Sequence, residues 1–250
     1  MVGLCCLVAL TVALVGSGRV HTLLHKAGQK PQNAASSAFD TREWAARMGN
    51  PQDMRAIAAD LFGHWKRTHD EKALNEAVKL WLAAAEKGDS ISQAMVGVLY
   101  DEGLGLQQDA EKAVKWYRKA AEQDNASAQY NLALCLHLGT GTEKNESEAV
   151  VWFQRAAEQG DRDAQYYLGI CHDFGYGVPQ NHREAVIWYR KAAERGVVMA
   201  QYNLAYCYEF GEGVEQDWEK AREWYAKAAA QGDEKARKAL QEPREKDAAR

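Results

Sequence analysis

The sequence predicts an all-α fold, a right-handed α-solenoid built from antiparallel helix pairs. Three observations lead to this prediction: a tryptophan, the aromatic residue that follows it and a pair of glycines all recur every 36 residues. A fixed period of about 20–50 residues is typical of solenoids, in which each repeat buries its apolar face against its neighbours. The recurring residues are Trp116, Trp152, Trp188 and Trp224; Tyr117, Phe153, Tyr189 and Tyr225; and Gly103/Gly105, Gly139/Gly141, Gly175/Gly177 and Gly211/Gly213.

Composition fits a helical protein and argues against one class of partner. The 250 residues are 46% hydrophobic and 26% charged, and only four are proline. The net charge of -4 gives no general attraction to nucleic acid, and no basic stripe with interleaved aromatic residues is present. We therefore expect no nucleic-acid partner.

The first segment, residues 1–18, carries no charged side chain and is almost wholly apolar from Val2 to Val15. This length suits the hydrophobic region of a signal peptide, and the small residues at 16–18 offer a cleavage site. A basic start is missing, and a membrane span needs about 20 apolar residues. We predict an apolar signal peptide or membrane anchor, hence export or membrane association. A mitochondrial or cytoplasmic location is the alternative.

Residues 19–49 are predicted to form a linker with a short helix that starts at Asp40 and ends at Gly49. Residues 50–88 form a divergent first helix pair. There Asn50 is a suitable N-cap and Pro51 a suitable first helical residue, so helices are predicted at about 51–66 and 69–86.

Four regular repeats follow over residues 89–232, each a helix, a Gly-x-Gly turn and a second helix. The second helices are predicted to begin after the N-cap residues Asp109, Asn145, Asn181 and Asp217. Two positions are exceptions: Asp124 stands where later repeats have glycine, and Val197 stands where they have a capping side chain. For Val197 we leave open a local packing contact and a contact with a partner. Residues 233–250 are predicted to be a capping helix and a charged tail.

The sequence contains no constellation that predicts catalysis, a cofactor or a metal site. Cys135, Cys171 and Cys207 fall at one repeat position, and equivalent helices lie too far apart for disulfides. We expect free thiols on a packed helix face. The pairs Cys135/His137 and Cys171/His172 come nearest to metal ligands, but no second pair stands at the required spacing. We therefore predict that the protein is not an enzyme.

The repeat resembles the Sel-1-like repeats, relatives of the tetratricopeptide family. The residues that carry the resemblance are Ala200, Leu204-Ala205, Tyr208, Gly211-Glu212-Gly213-Val214, Asp217, Lys220-Ala221, Trp224-Tyr225, Lys227-Ala228-Ala229 and Gly232. The resemblance implies an adaptor that assembles other proteins. One bacterial branch of the family staples each repeat with a disulfide and is linked to β-lactam binding. Binding or hydrolysis of a small molecule or cell-wall fragment is therefore the alternative function, although this chain has no second cysteine per repeat.

The resemblance also implies a binding surface, because the first helix of each tetratricopeptide pair lines the concave groove. The matching residues are Asp101, Tyr130, Leu134, His137, Tyr166, Ile170, Asp173, Phe174, Met199, Tyr202, Tyr206, Glu209 and Phe210. An aromatic and aliphatic channel with an acidic edge suits a peptide or helix that carries apolar anchors and basic residues. The repeated tyrosines have an alternative role in holding the stack together. The varied positions, Asp101/His137/Asp173/Glu209 and Ser127/Asp163/Met199, are the better candidates for specificity.

Overall fold

The computed structural model describes residues 49–241, and within this range it contains eleven α-helices and no strands. The predicted all-α class is confirmed. The predicted N-terminal segment, most of the linker with its short helix, and the C-terminal tail lie outside the described residues. In chain order the helices are α1 Pro51–Thr68, α2 Glu71–Glu86, α3 Ser90–Glu102, α4 Ala110–Ala121, α5 Ala126–Leu138, α6 Glu146–Glu158, α7 Arg162–Phe174, α8 His182–Glu194, α9 Val198–Phe210, α10 Trp218–Ala230 and α11 Glu234–Gln241.

The chain divides into two compact units, Met1–Ser127 and Ala128–Arg250. In the described part of the first unit, α1 packs on α2, α2 on α3 and α3 on α4. In the second unit α7 packs on α6 and α8, and α9 on α8 and α10, before α11 packs on α10. Each unit is therefore a stack of antiparallel helix pairs. None of the helices described over residues 49–241 combines the length and apolar character needed to cross a bilayer.

The second helix of each regular repeat begins at the predicted N-cap. The side chains of Asp109, Asn145, Asn181 and Asp217 each accept a hydrogen bond from the backbone N–H three residues later, at 2.9–3.2 Å. Such caps satisfy backbone donors that have no partner within the helix. Asn50 caps α1 in the same way, through the N–H of Gln52.

The two exceptions in the repeat have physical explanations. Val197 makes no side-chain capping bond, and it packs instead against the apolar core of the second unit. This confirms the local packing interpretation. Asp124 adopts a φ of 59°, the left-handed conformation in which other repeats place glycine. This conformation is strained for most residues, and aspartate is one of the few that tolerate it.

The aromatic residues after the tryptophans fill the space between paired helices. Tyr117, Phe153 and Tyr189 are fully buried. The facing helix position is Gly97 or Gly169 in two repeats, where an added Cβ would lie 2.5 Å from the ring of Tyr117 or Tyr189. The small residue on one helix therefore makes room for the bulky ring on the other.

The tryptophans themselves lie nearer the surface, each beneath a cation. The charged groups of Lys119, Arg155, Lys191 and Lys227 lie 3.7–4.6 Å from the ring centres of the tryptophans three residues earlier. A cation over an aromatic face stabilises by about 0.5–1 kcal/mol at exposed sites.

A buried glutamine near the start of α3, α7 and α9 donates a hydrogen bond to the preceding helix, and this contact was not predicted from the sequence. Gln201 donates to the carbonyl of Ala193 at 3.1 Å, and its own side-chain oxygen accepts from Gln231 at 2.8 Å. Gln93 and Gln123 repeat this arrangement in the first unit. The recurrence of Gln93, Gln129, Gln165 and Gln201 every 36 residues was the available signal.

Candidate functional site

Near the end of each first helix, the residue type varies between repeats together with the residue that it contacts on the second helix. This position holds Asp101, His137, Asp173 and Glu209. The hydroxyl of the tyrosine sixteen residues later donates to Asp173 at 3.0 Å and to Glu209 at 2.7 Å, and the bond to Asp101 is longer, at 3.4 Å. In the remaining repeat the second helix has Phe153, which has no hydroxyl, and the acid is replaced by His137. The variation we interpreted as specificity therefore has an explanation within the fold.

Two of the predicted binding residues are buried. Leu134 is 5% exposed and His137 is 6% exposed, so they offer almost no surface to a partner, and we leave them out of the surface proposed below. The His137 ring lies 5.4 Å from the ring of Tyr176 and 6.5 Å from that of Phe153. Its Nδ1 atom has no hydrogen-bond partner. Burial lowers the pKa of His137, and the opposing attraction of Glu146 is smaller.

The predicted tyrosine column is half-buried and contacts the second helices. Tyr130 lies 6.1 Å from Phe153, Tyr166 lies 6.1 Å from Tyr189, and Tyr202 lies 5.4 Å from Tyr225, measured between ring centres. Aromatic pairs at 4.5–7 Å are stabilising. These rings therefore hold the two helices of a repeat together, which was the alternative role.

Aromatic side chains lie at the C-terminal ends of α7 and α9, and two of them are exposed. Phe174 is 43% exposed and Phe210 is 55% exposed. Phe174 stacks on Tyr176 with 5.7 Å between ring centres, and Tyr206 lies 4.5 Å from Phe210. With half-buried Ile170, these five side chains form what we call the aromatic ridge of the second unit. The sequence analysis missed Tyr176, which occupies the variable position of a Gly-x-Gly turn.

Two further predicted residues do not belong to this ridge. Met199 is half-buried in the first turn of α9, about 16 Å along the helix from Phe210 at 1.5 Å per residue. Asp101 belongs to the first unit, where it accepts the bond from Tyr117.

A polar cluster, which we call the Asp-His-Glu corner, lies at the edge of the same unit. Asp173, His182 and Glu212 each present one potential ligand atom, and these atoms all lie within 4.8 Å of one another. The Nδ1 atom of His182 is 2.8 Å from Oδ1 of Asp173, whose Oδ2 accepts the bond from Tyr189. The sequence analysis missed this cluster because its members come from three separate elements.

Other surface features lie apart from the predicted residues. Val151 on α6 and Ile187 on α8 are 49% and 44% exposed, again at a spacing of 36 residues. In the first unit a shallow depression of about 380 Å³ follows α4 and is lined by Lys112, Val114, Lys115, Trp116, Arg118, Lys119 and Glu122. It is open, belongs to a single helix and contains none of the predicted residues.

Comparison with known proteins decides the family. The family model described as Sel1 repeat matches residues 69–89, 90–125, 126–161, 162–197 and 198–233, which is more than half of the chain. The chain belongs to the Sel1 repeat family. Proteins of this family generally mediate protein–protein interactions as non-catalytic scaffolds. No curated protein matches the sequence.

Solved structures agree with this assignment. A Sel1 repeat protein from Oxalobacter formigenes is 37% identical, with a TM-score of 0.69 over 78% of this chain and 76% of the other. The protective antigen c5321 of uropathogenic Escherichia coli is 32% identical, with a TM-score of 0.72 over 80% of this chain. The match spans 43% of that longer protein.

The repeat cysteines of this Sel1 repeat protein behave as predicted. Cys135, Cys171 and Cys207 are buried free thiols. Burial raises the pKa of Cys171 and of Cys207 to about 12, so both remain protonated at neutral pH. No disulfide staples the repeats described over residues 49–241.

Proposed function

We propose that this Sel1 repeat protein is a non-catalytic adaptor that binds a segment of another protein along the aromatic ridge of its second unit. The observation that carries the proposal is the exposure of Phe174 and Phe210 at the same position of successive repeats. Large apolar side chains exposed together on a soluble surface commonly mark an interaction site. The general role of the family in protein–protein interaction supports the same conclusion.

The chemistry of the ridge indicates what the partner segment carries. Asp173 precedes Phe174 and Glu209 precedes Phe210, so each exposed ring has a carboxylate beside it in the chain. Both carboxylates already accept a tyrosine hydroxyl, and this holds them in place without neutralising their charge. We propose a peptide or helix with two apolar anchors for the rings and Lys or Arg residues for the acids.

The experiment that tests this proposal compares two double variants of the full chain. Phe174→Ala/Phe210→Ala removes the exposed rings, whereas Val151→Ala/Ile187→Ala removes a matched pair of exposed apolar side chains at the same spacing. Each is used as bait in a quantitative affinity purification, with circular dichroism to check folding. The proposal predicts at least a tenfold loss of the bound partner for the phenylalanine variant alone. Equal recovery by both variants would contradict it.

We also propose that residues 1–18 bring the protein to a membrane or into an exported fraction. The support is their length, their lack of charge and the small residues at 16–18. Cell fractionation of the full chain and of a chain lacking residues 1–18 tests this. The full chain is expected in the membrane or exported fraction and the shortened chain in the cytosol. The same distribution for both chains would contradict this proposal.

A further inference from the structure

The Asp-His-Glu corner exists because a glycine turn packs against the start of a preceding helix. Gly213, at a φ of 71°, lies so close to α8 that an added Cβ would be 2.2 Å from the carbonyl oxygen of His182. This approach brings Glu212 beside the first residue of α8. The end of α7 supplies Asp173, which lies 2.8 Å from His182. Three elements therefore converge on one point of the second unit.

We propose that Asp173, His182 and Glu212 bind one divalent transition-metal ion, with Zn²⁺ as the best match. One imidazole and two carboxylates form a ligand set that Zn²⁺ takes in proteins. Ligand atoms around a tetrahedral Zn²⁺ are separated by roughly 3.3 Å. The atoms here already lie within 4.8 Å of one another, so rotation of the half-buried His182 and Glu212 side chains closes the site.

Two contacts around the corner suit a bound ion, although the first of them recurs at Asp101 and Glu209. Asp173 is oriented from behind by the buried hydroxyl of Tyr189, the kind of outer contact that fixes metal ligands. Glu212 lies close to the second carboxylate, and among residues 49–241 it forms no ion pair with Lys or Arg. Two carboxylates at this distance repel each other unless a cation lies between them.

The preceding repeat supplies an internal comparison. Its corner has the same backbone arrangement, because Gly177 lies against the start of α6 with an added Cβ 2.3 Å from the carbonyl oxygen of Glu146. The three equivalent residues there are His137, Glu146 and Tyr176, and a tyrosine is protonated at neutral pH. Over the described range only the Asp173 corner combines three potential ligands.

Binding an ion at this corner would have a structural consequence. The ion would join the end of α7, the start of α8 and the turn after α9, and so stabilise the second unit. Three protein ligands leave at least one coordination position for water. All three ligands come from this chain, so no partner is needed to hold the ion. While Asp173 holds the ion, Glu209 is the acid that remains for a basic residue of the partner.

The test titrates the metal-free full chain with Zn²⁺ at pH 7 by calorimetry and follows Tm with and without the ion. The wild type is expected to bind one more ion per chain than His182→Gln or Glu212→Gln, and only the wild type gains Tm from this ion. Glu215→Gln, an exposed acid near the corner, is the matched control and keeps wild-type binding. Any ion taken up elsewhere in the chain cancels in this comparison.

Either of two results would contradict the proposed metal site. One is the same number of bound ions and the same Tm shift in the wild type and in both corner variants. The other is loss of the ion in His182→Gln with full retention in Glu212→Gln, since that excludes a three-ligand corner. Circular dichroism of each variant confirms that it is folded.

Discussion

The type of residue near the end of each first helix depends on the residue that it contacts on the second helix. Acids stand opposite tyrosines, and a histidine stands opposite the phenylalanine. A buried tyrosine hydroxyl needs an acceptor, and a carboxylate provides a strong one. Asp173 and Glu209 therefore stabilise the repeat whether or not they also contact a partner.

This coupling predicts the outcome of a double-mutant cycle at Glu209 and Tyr225. Tyr225→Phe removes the donor at 2.7 Å and is expected to lower the free energy of unfolding by about 1.5–3 kcal/mol, as for hydrogen bonds to charged groups. Glu209→Ala removes the acceptor. Urea unfolding of the single and double variants should give a coupling energy above about 0.5 kcal/mol. Strict additivity would show that the bond contributes nothing.

His137 is one residue that makes the stability of this fold depend on pH, and His172, whose pKa is also lowered by burial, acts in the same direction. Burial lowers the folded-state pKa of His137, Lys144 lowers it further, and Glu146 opposes both. In the unfolded chain its pKa is about 6.5. The unfolded state therefore binds more protons over the range below 6.5. The stabilisation due to the neutral buried ring is present above this pH and is lost as the pH falls through the folded-state pKa.

We predict that the free energy of unfolding declines as the pH falls below about 6.5, with His137 contributing a slope of at most about 1.4 kcal/mol per pH unit. His137→Gln should flatten the curve between pH 7 and pH 5, as measured by urea unfolding. Parallel curves for the wild type and His137→Gln would rule out this assignment.

At the scale of elements, the junctions between repeats are held by the buried glutamines rather than by apolar contacts alone. One junction is incomplete. Arg195 stands where the other repeats have Gln123, Gln159 and Gln231, and the side-chain oxygen of Gln165 is left without a partner. A buried acceptor without a hydrogen bond costs about 1–3 kcal/mol.

Arg195→Gln is therefore expected to stabilise the second unit by about 0.5–1.5 kcal/mol, because it restores the donor to Gln165. The backbone permits it, since Arg195 and Gln231 have nearly the same φ and ψ. The reverse change, Gln231→Arg, should destabilise by removing the 2.8 Å bond to Gln201. Chemical denaturation measures both effects. A loss of stability in Arg195→Gln would show that the arginine has a role of its own.

Whole elements were predictable because the repeat supplies several independent signals for each one. The caps at Asn145 and Asp217, the glycine turns and the buried aromatic column all follow from residue type and spacing. The glutamine junctions were equally periodic but were overlooked, since glutamine is ordinarily a surface residue. The Asp-His-Glu corner carried no local signal, because it depends on how close Gly213 comes to α8.

At the scale of the whole molecule, the fold class follows from the 36-residue period and the family from the residues that recur with it, whereas the binding surface follows from neither. Burial decided which members of the predicted set remain: Phe174 and Phe210 are exposed, and Leu134 and His137 are not. The repeat positions alone could not show which of these residues are exposed, because side chains on the same helix face are covered by different neighbours. The proposed binding surface, the aromatic ridge, therefore contains fewer residues than the predicted groove and lies wholly in the second unit.

Site-specific photo-crosslinking tests partner binding at the aromatic ridge most directly. A photoreactive phenylalanine analogue replaces Phe174 or Phe210 in the full chain, and Val151 or Ile187 in matched controls, and adducts are mapped by mass spectrometry after irradiation in cells. The account predicts that positions 174 and 210 crosslink to one segment of the same partner, rich in apolar and basic residues. Equal crosslinking at positions 151 and 187, or no protein adduct at 174 and 210, would contradict it.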